Sequence, residues 1–143
     1  MQLQPDLPWI RAVDTQSHNN YTRITYNHFM KAIFVELHAF SRHRADYLDD
    51  AAFGGLQQTL LENPQAGDLI EGTGGLRKLR FADARRGKGK RGGLRVIYFW
   101  WAAGRQFWLF TLYDKSEMDD LTPGERRLLK SLLKRELNAR NKR

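Results

Sequence analysis

Two apolar runs, residues 94–101 (LRVIYFWW) and 107–113 (FWLFTLY), lie only five residues apart, and no other feature constrains the fold as strongly. Aromatic and β-branched side chains crowd a helix but suit a pleated strand. The connector, residues 102–106 with Gly104 inside it, is short enough to demand an antiparallel hairpin. Neither run alternates cleanly between apolar and polar, so both strands must be covered on two faces. One face is expected against helices and the other partly against a pocket or partner surface. The hairpin is therefore placed at the centre of a sheet.

The surrounding segments supply the remaining elements. Residues 31–37 (KAIFVEL) suit a strand. Residues 40–61 carry helical periodicity broken near Asp49 and Asp50, which can cap a second helix with Phe53, Leu56 and Leu60 on one stripe. Asn63-Pro64 ends that helix, because proline cannot continue the hydrogen-bond ladder, and a turn is predicted over residues 65–68. Residues 69–75 lead into a strand at 76–82, whose pleat sets Lys78 and Arg80 on one face and Leu79 and Phe81 on the other. Thr122-Pro123-Gly124-Glu125 has the form of a capped helix start. Beyond it, Leu128, Leu129, Leu132, Leu133 and Leu137 form an apolar stripe, with Arg126, Arg127, Lys130, Lys134 and Arg135 as a solvated face. The class is α+β: a small twisted, mainly antiparallel sheet of one N-terminal strand plus a three-stranded meander, packed by two N-terminal helices and one C-terminal helix. Residues 1–29, rich in polar side chains and lacking a sustained period, are read as a flexible extension or a misassigned start. The domain is residues 30–143, and Met30 is a candidate biological start.

Charge narrows the possible partners. Residues 76–95 hold nine of the 24 basic residues and one of the 16 acidic ones, so the other 15 of each sign cancel and this stretch accounts for the whole net charge of +8. Gly87, Gly89, Gly92 and Gly93 thread it. Cations displace counterions from a polyanion, and glycine lets main-chain N–H groups approach closely, so the block suits a phosphate-rich partner. A solvated basic loop is the plainer alternative. With no cysteine, disulfides, thiol nucleophiles and cysteine zinc sites are excluded. Neither an apolar run of membrane-spanning length nor a signal-peptide pattern is visible, so a cytoplasmic protein without membrane contact is expected. The carboxylates Asp114, Glu117, Asp119 and Asp120 read as turn and capping residues, so no metal is expected. His18, His28, His38 and His43 all precede the basic block, which argues against a paired-imidazole nuclease site.

Four segments in this order, residues 30–36 (MKAIFVE), 62–80 (ENPQAGDLIEGTGGLRKLR), 87–98 (GKGKRGGLRVIY) and 112–121 (LYDKSEMDDL), carry a resemblance to a known family. The chain resembles the RelE/HigB superfamily of toxins from type II toxin-antitoxin systems, most closely its HigB-like branch, over residues 30 to about 135. The resemblance implies a RelE-like fold and a ribosome-dependent messenger-RNA endonuclease held inactive by a cognate antitoxin protein. It further implies cleavage by 2′-OH attack on the adjacent phosphorus with neither a metal nor a small-molecule cofactor. Such chemistry needs a base for the hydroxyl, positive charge around the transition state and an acid for the leaving oxygen.

Matched by position, the family's paired basic side chains on the first meander strand fall on Lys78 and Arg80, and the arginine opening the next strand falls on Arg95. Lys115 and Tyr113 match the later basic and aromatic positions less clearly. Lys78 is assigned as general base, because crowded cations disfavour its charged form. Arg80 and Arg95 stabilise phosphate, and Lys115 is an acid or substrate clamp. Arg80 stands where many relatives have lysine, which leaves two roles for that position: transferring a proton or only neutralising phosphate. Arg77, Arg85, Arg86, Lys88, Lys90 and Arg91 are expected to grip RNA, and Tyr113 to be core or to stack on a base. Two other activities stay open: a ParE-like toxin of the same fold that poisons DNA gyrase, and a non-catalytic RNA- or ribosome-binding module.

Overall fold

The computed structural model describes residues 20–26, 31–82, 93–117 and 120–141. In chain order the elements are β1 (Asn20–Tyr26), β2 (Lys31–Glu36), α1 (His38–Tyr47), α2 (Asp50–Glu62), β3 (Asp68–Leu69), β4 (Arg77–Phe81), β5 (Leu94–Trp101), β6 (Gln106–Asp114) and α3 (Pro123–Asn141). Five strands form a mixed sheet in the order β2-β6-β5-β4-β3, and β1 adds to the β2 edge. Strands β2 and β6 run parallel, and every other neighbouring pair is antiparallel. The α+β class and the central hairpin agree with the sequence reading. Two strands are additional to it: the two-residue β3, and β1, which falls within the segment read as an extension. Both are edge strands held through backbone pairing, which side-chain periodicity does not report.

The hairpin is covered on both faces. On one face Leu94, Val96 and Tyr98 of β5, with Phe107, Leu109 and Leu112 of β6, pack under Phe40, Phe53, Leu56 and Leu60 of α1 and α2. On the other, Ile97, Trp108, Phe110 and Tyr113 pack under Leu129 and Leu133 of α3. Aromatic rows tie neighbouring strands together on each face. Phe107 stacks on Phe34 at 4.9 Å between ring centroids, and Trp108 lies 5.2 Å from Phe99 and 5.4 Å from Trp101. Offset and tilted rings of this kind add to the large apolar area each aromatic removes from water. The pleat is interrupted once in this pair: Ile97 faces Thr111 and Tyr98 faces Leu109, leaving Phe110 as a surplus residue on β6.

Local chemistry explains the boundaries. Asp49 caps α2, its carboxylate accepting from the Ala52 N–H at 2.8 Å. At the start of α3, Thr122 Oγ1 accepts from the Glu125 N–H at 3.2 Å while Glu125 Oε1 accepts from the Thr122 N–H at 2.6 Å. That is the reciprocal cap the sequence predicts. Between β3 and β4 the chain reverses through Gly72, Gly74 and Gly75, all at positive φ. Thr73 Oγ1 closes this turn, donating to the Ile70 carbonyl and accepting from the Leu76 N–H. In the β5–β6 connector the left-handed residue is Arg105, not Gly104. Gly104 is required for a different reason, since a Cβ there would lie 2.4 Å from the Trp101 ring. Among the described residues, no helix is long and apolar enough to cross a membrane.

Candidate functional site

The β4–β5–β6 meander assembles the candidate site on the face covered by α3. Arg80 of β4 pairs in register with Arg95 of β5, and Arg95 with Tyr113 of β6, so three polar side chains form one row across three strands. Lys78, two residues before Arg80, stands on the same face opposite Ile97. The row grades from solvent to core: Arg80 is exposed, whereas Arg95 retains 5% and Tyr113 2% of their accessible surface. Burial lowers the Arg95 guanidinium from its ordinary range, and the charge of Arg80 lowers it further, while Tyr113 and Asp114 act in the opposite sense. Its Nη1 donates to the Leu94 carbonyl at 3.2 Å. Burial also pushes the Tyr113 phenol up to about 12, against the opposing pull of Arg95. At neutral pH Tyr113 therefore keeps its proton and can donate it to a hydrogen bond but cannot act as a base.

Lys78 has a carboxylate as its neighbour. Its Nζ lies 3.6 Å from Asp120 Oδ1, in the loop between β6 and α3. The same carboxylate lies 3.8 Å, through Oδ2, from Arg126 Nη2 in the first turn of α3. A hydrogen bond from the Leu121 N–H holds the Asp120 carboxyl below its ordinary value, and Lys78 and Arg126 reinforce that direction. The assignment of Lys78 as a base presumes that only cations crowd it, and the Asp120 carboxylate at 3.6 Å is a neighbour of opposite charge.

The other expected site residues separate into three groups. Arg77 belongs to the opposite face, where its Nη1 donates to the Gly67 carbonyl at 2.7 Å and to that of Gln65 at 3.4 Å. It braces the turn after α2 and stands apart from the Arg80–Arg95 row. Lys115 sits exposed in the turn after β6, its backbone N–H donating to the Gly93 carbonyl. Arg85, Arg86, Lys88, Lys90 and Arg91 lie outside the described residues. Of the carboxylates that end or follow the last strand, Asp114 accepts from the N–H and hydroxyl of Ser116, and Glu117 accepts from the Tyr47 hydroxyl and the Asp114 N–H. Asp119 lies outside the described residues.

Asp120 and Arg126 are the members that sequence reasoning missed, since it treated Arg126 as part of a solvated face and Asp120 as a capping residue. Their only sequence signal is position: both flank the Thr122 cap and so must lie at one end of α3. Which end of the sheet meets that cap depends on tertiary packing. No known family profile matches the chain.

Proposed function

We propose that this chain is the toxin of a toxin-antitoxin system, a RelE/HigB-like endoribonuclease that cuts messenger RNA on the ribosome without a metal. One observation carries the reading: Arg80, Arg95 and Tyr113 share a single row on a rigid sheet, with Lys78 beside it. A cyclising attack by a ribose 2′-OH builds negative charge on the phosphoryl oxygens, and fixed cations in a partly dry site stabilise it without having to reorganise. In this reading Arg95 is the principal transition-state stabiliser, Arg80 draws in the phosphate from solvent, and Tyr113 donates a hydrogen bond to the same group. Lys78 contributes charge, and Lys115 reaches in from the turn after β6. The basic residues 85–91 hold ribosomal or messenger RNA, and an antitoxin covers this cationic face until release.

The engagement of Lys78 by Asp120 favours a second reading, a non-catalytic RNA-binding module, because it occupies the one lysine on the strand face. Translating ribosomes distinguish the two. The purified chain is expected to cleave messages, and Arg95→Ala to slow cleavage about a hundredfold or more while ribosome binding persists. Binding without cleavage supports the module, and intact messages with stalled gyrase support a ParE-like toxin.

A further inference from the structure

We propose that Lys78 and Arg126 form a subsite for one phosphate of single-stranded RNA, which the Asp120 carboxylate occupies in the RNA-free protein and yields to the substrate. This rests on the RNA-binding part of the reading above and does not require cleavage. The two cations come from different elements, β4 and α3, yet converge on the two oxygens of a single carboxylate at 3.6 and 3.8 Å. A phosphodiester likewise spreads one negative charge over two free oxygens, so the exchange conserves charge. Both separations exceed those of tight charge-assisted hydrogen bonds, and the Asp120 side chain keeps 63% of its exposure. Such a contact is readily displaced.

Two further features point to an outside ligand. Arg126 Nε is buried and has no hydrogen-bond partner among the described residues, although its neighbouring Nη2 faces Asp120. A guanidinium short of one acceptor gains from turning toward a ligand oxygen once the Asp120 contact is released. Lys78 and Arg80 also stand two residues apart on one strand face, about 6.6 Å along it, which approximates the separation of adjacent phosphates in an extended strand. One phosphate at Lys78 and Arg126 thus sets the next at Arg80 and Arg95. The substrate class is a single-stranded RNA laid along β4, and Asp120 is a built-in competitor for its first contact.

The test measures fluorescence anisotropy of a short single-stranded RNA with the full chain at fixed salt. Asp120→Asn should tighten binding about threefold to fivefold, Arg126→Gln should weaken it, and the double variant should lose most of the gain. Glu62→Gln, an exposed acid on α2, reports the general effect of removing one negative charge. If Asp120→Asn gains no more than this control, if its gain survives intact with Arg126→Gln, or if no variant binds RNA, the subsite is overturned. Should Arg126→Gln fail to fold, Lys78→Gln replaces it in the same cycle with the same expected loss of coupling. Cleavage on ribosomes is scored separately. A chain that never cuts can still show the coupling, and a chain that cuts without it keeps the proposed function and loses the subsite.

Discussion

Tyr98 illustrates how a core side chain governs a distant turn. It is fully buried in β5, donates its hydroxyl proton to the Pro64 carbonyl at 2.7 Å, and accepts from the Gly67 N–H at 3.0 Å. Arg77 closes the same turn through the Gly67 carbonyl. A Cβ on residue 67 would approach the Tyr98 ring to 2.9 Å, so glycine is needed for this close packing. Tyr98→Phe keeps the ring and strands both backbone groups, so a loss of about 1–3 kcal/mol is expected. Urea denaturation measures it, and an unchanged midpoint would show that water satisfies the turn. From sequence, Tyr98 was legible only as a strand aromatic and Arg77 only as one cation in a basic cluster. The partners that define them lie 31 and 34 residues away from Tyr98, and 10 away from Arg77.

Among the elements, α3 was the most legible at its start and the least legible along its length. Threonine, proline and glutamate announce the start by short-range chemistry alone. Thr122→Ala removes the acceptor for the Glu125 N–H and should cost about 1 kcal/mol, read as a lower melting temperature. Serine at the same position should restore most of it. Leu129 and Leu133 are buried as their period predicts, but so are Glu125, Glu136 and Arg140. Arg140 lies 4.4 Å over the Trp108 ring and 3.8 Å from Glu136, while burial raises the Glu136 carboxyl above its ordinary value. Their spacing sets them on the buried stripe with Leu129 and Leu133, but their charge assigns them to solvent. Trp108 beneath Arg140, Arg140 beside Glu136 and the Thr122 N–H on Glu125 make that burial favourable, and the tryptophan comes from another element. The same dependence hid Arg126, whose carboxylate partner belongs to the loop preceding the helix.

At the scale of the whole molecule, a sheet lies between two helical layers, and each layer holds one buried tyrosine with a raised pKa: Tyr98 beneath α1 and α2, Tyr113 beneath α3. In the unfolded chain both phenols ionise near 10. Because their folded values are higher, the stability they contribute is fully present below pH 10 and is lost as pH rises through about 12 for Tyr113. Denaturation midpoints should therefore fall over this alkaline range, and Tyr113→Phe should flatten part of the fall. An identical slope in that variant would contradict the assignment. The hairpin, the three helices and the two-sided core were readable because their signals are local. The added edge strands and the β6 bulge were not, since they depend on pairing across the sheet. That bulge has a consequence of its own. The surplus Phe110 advances the rest of β6 by one place, and by that offset Tyr113, not Leu112, meets Arg95. Strand arithmetic thus chooses between a phenol and an alkyl group at the heart of the cationic row. Paired without that irregularity, the same sequence would set an alkyl side chain against the guanidinium, so a backbone detail and not residue type decides which group stands there.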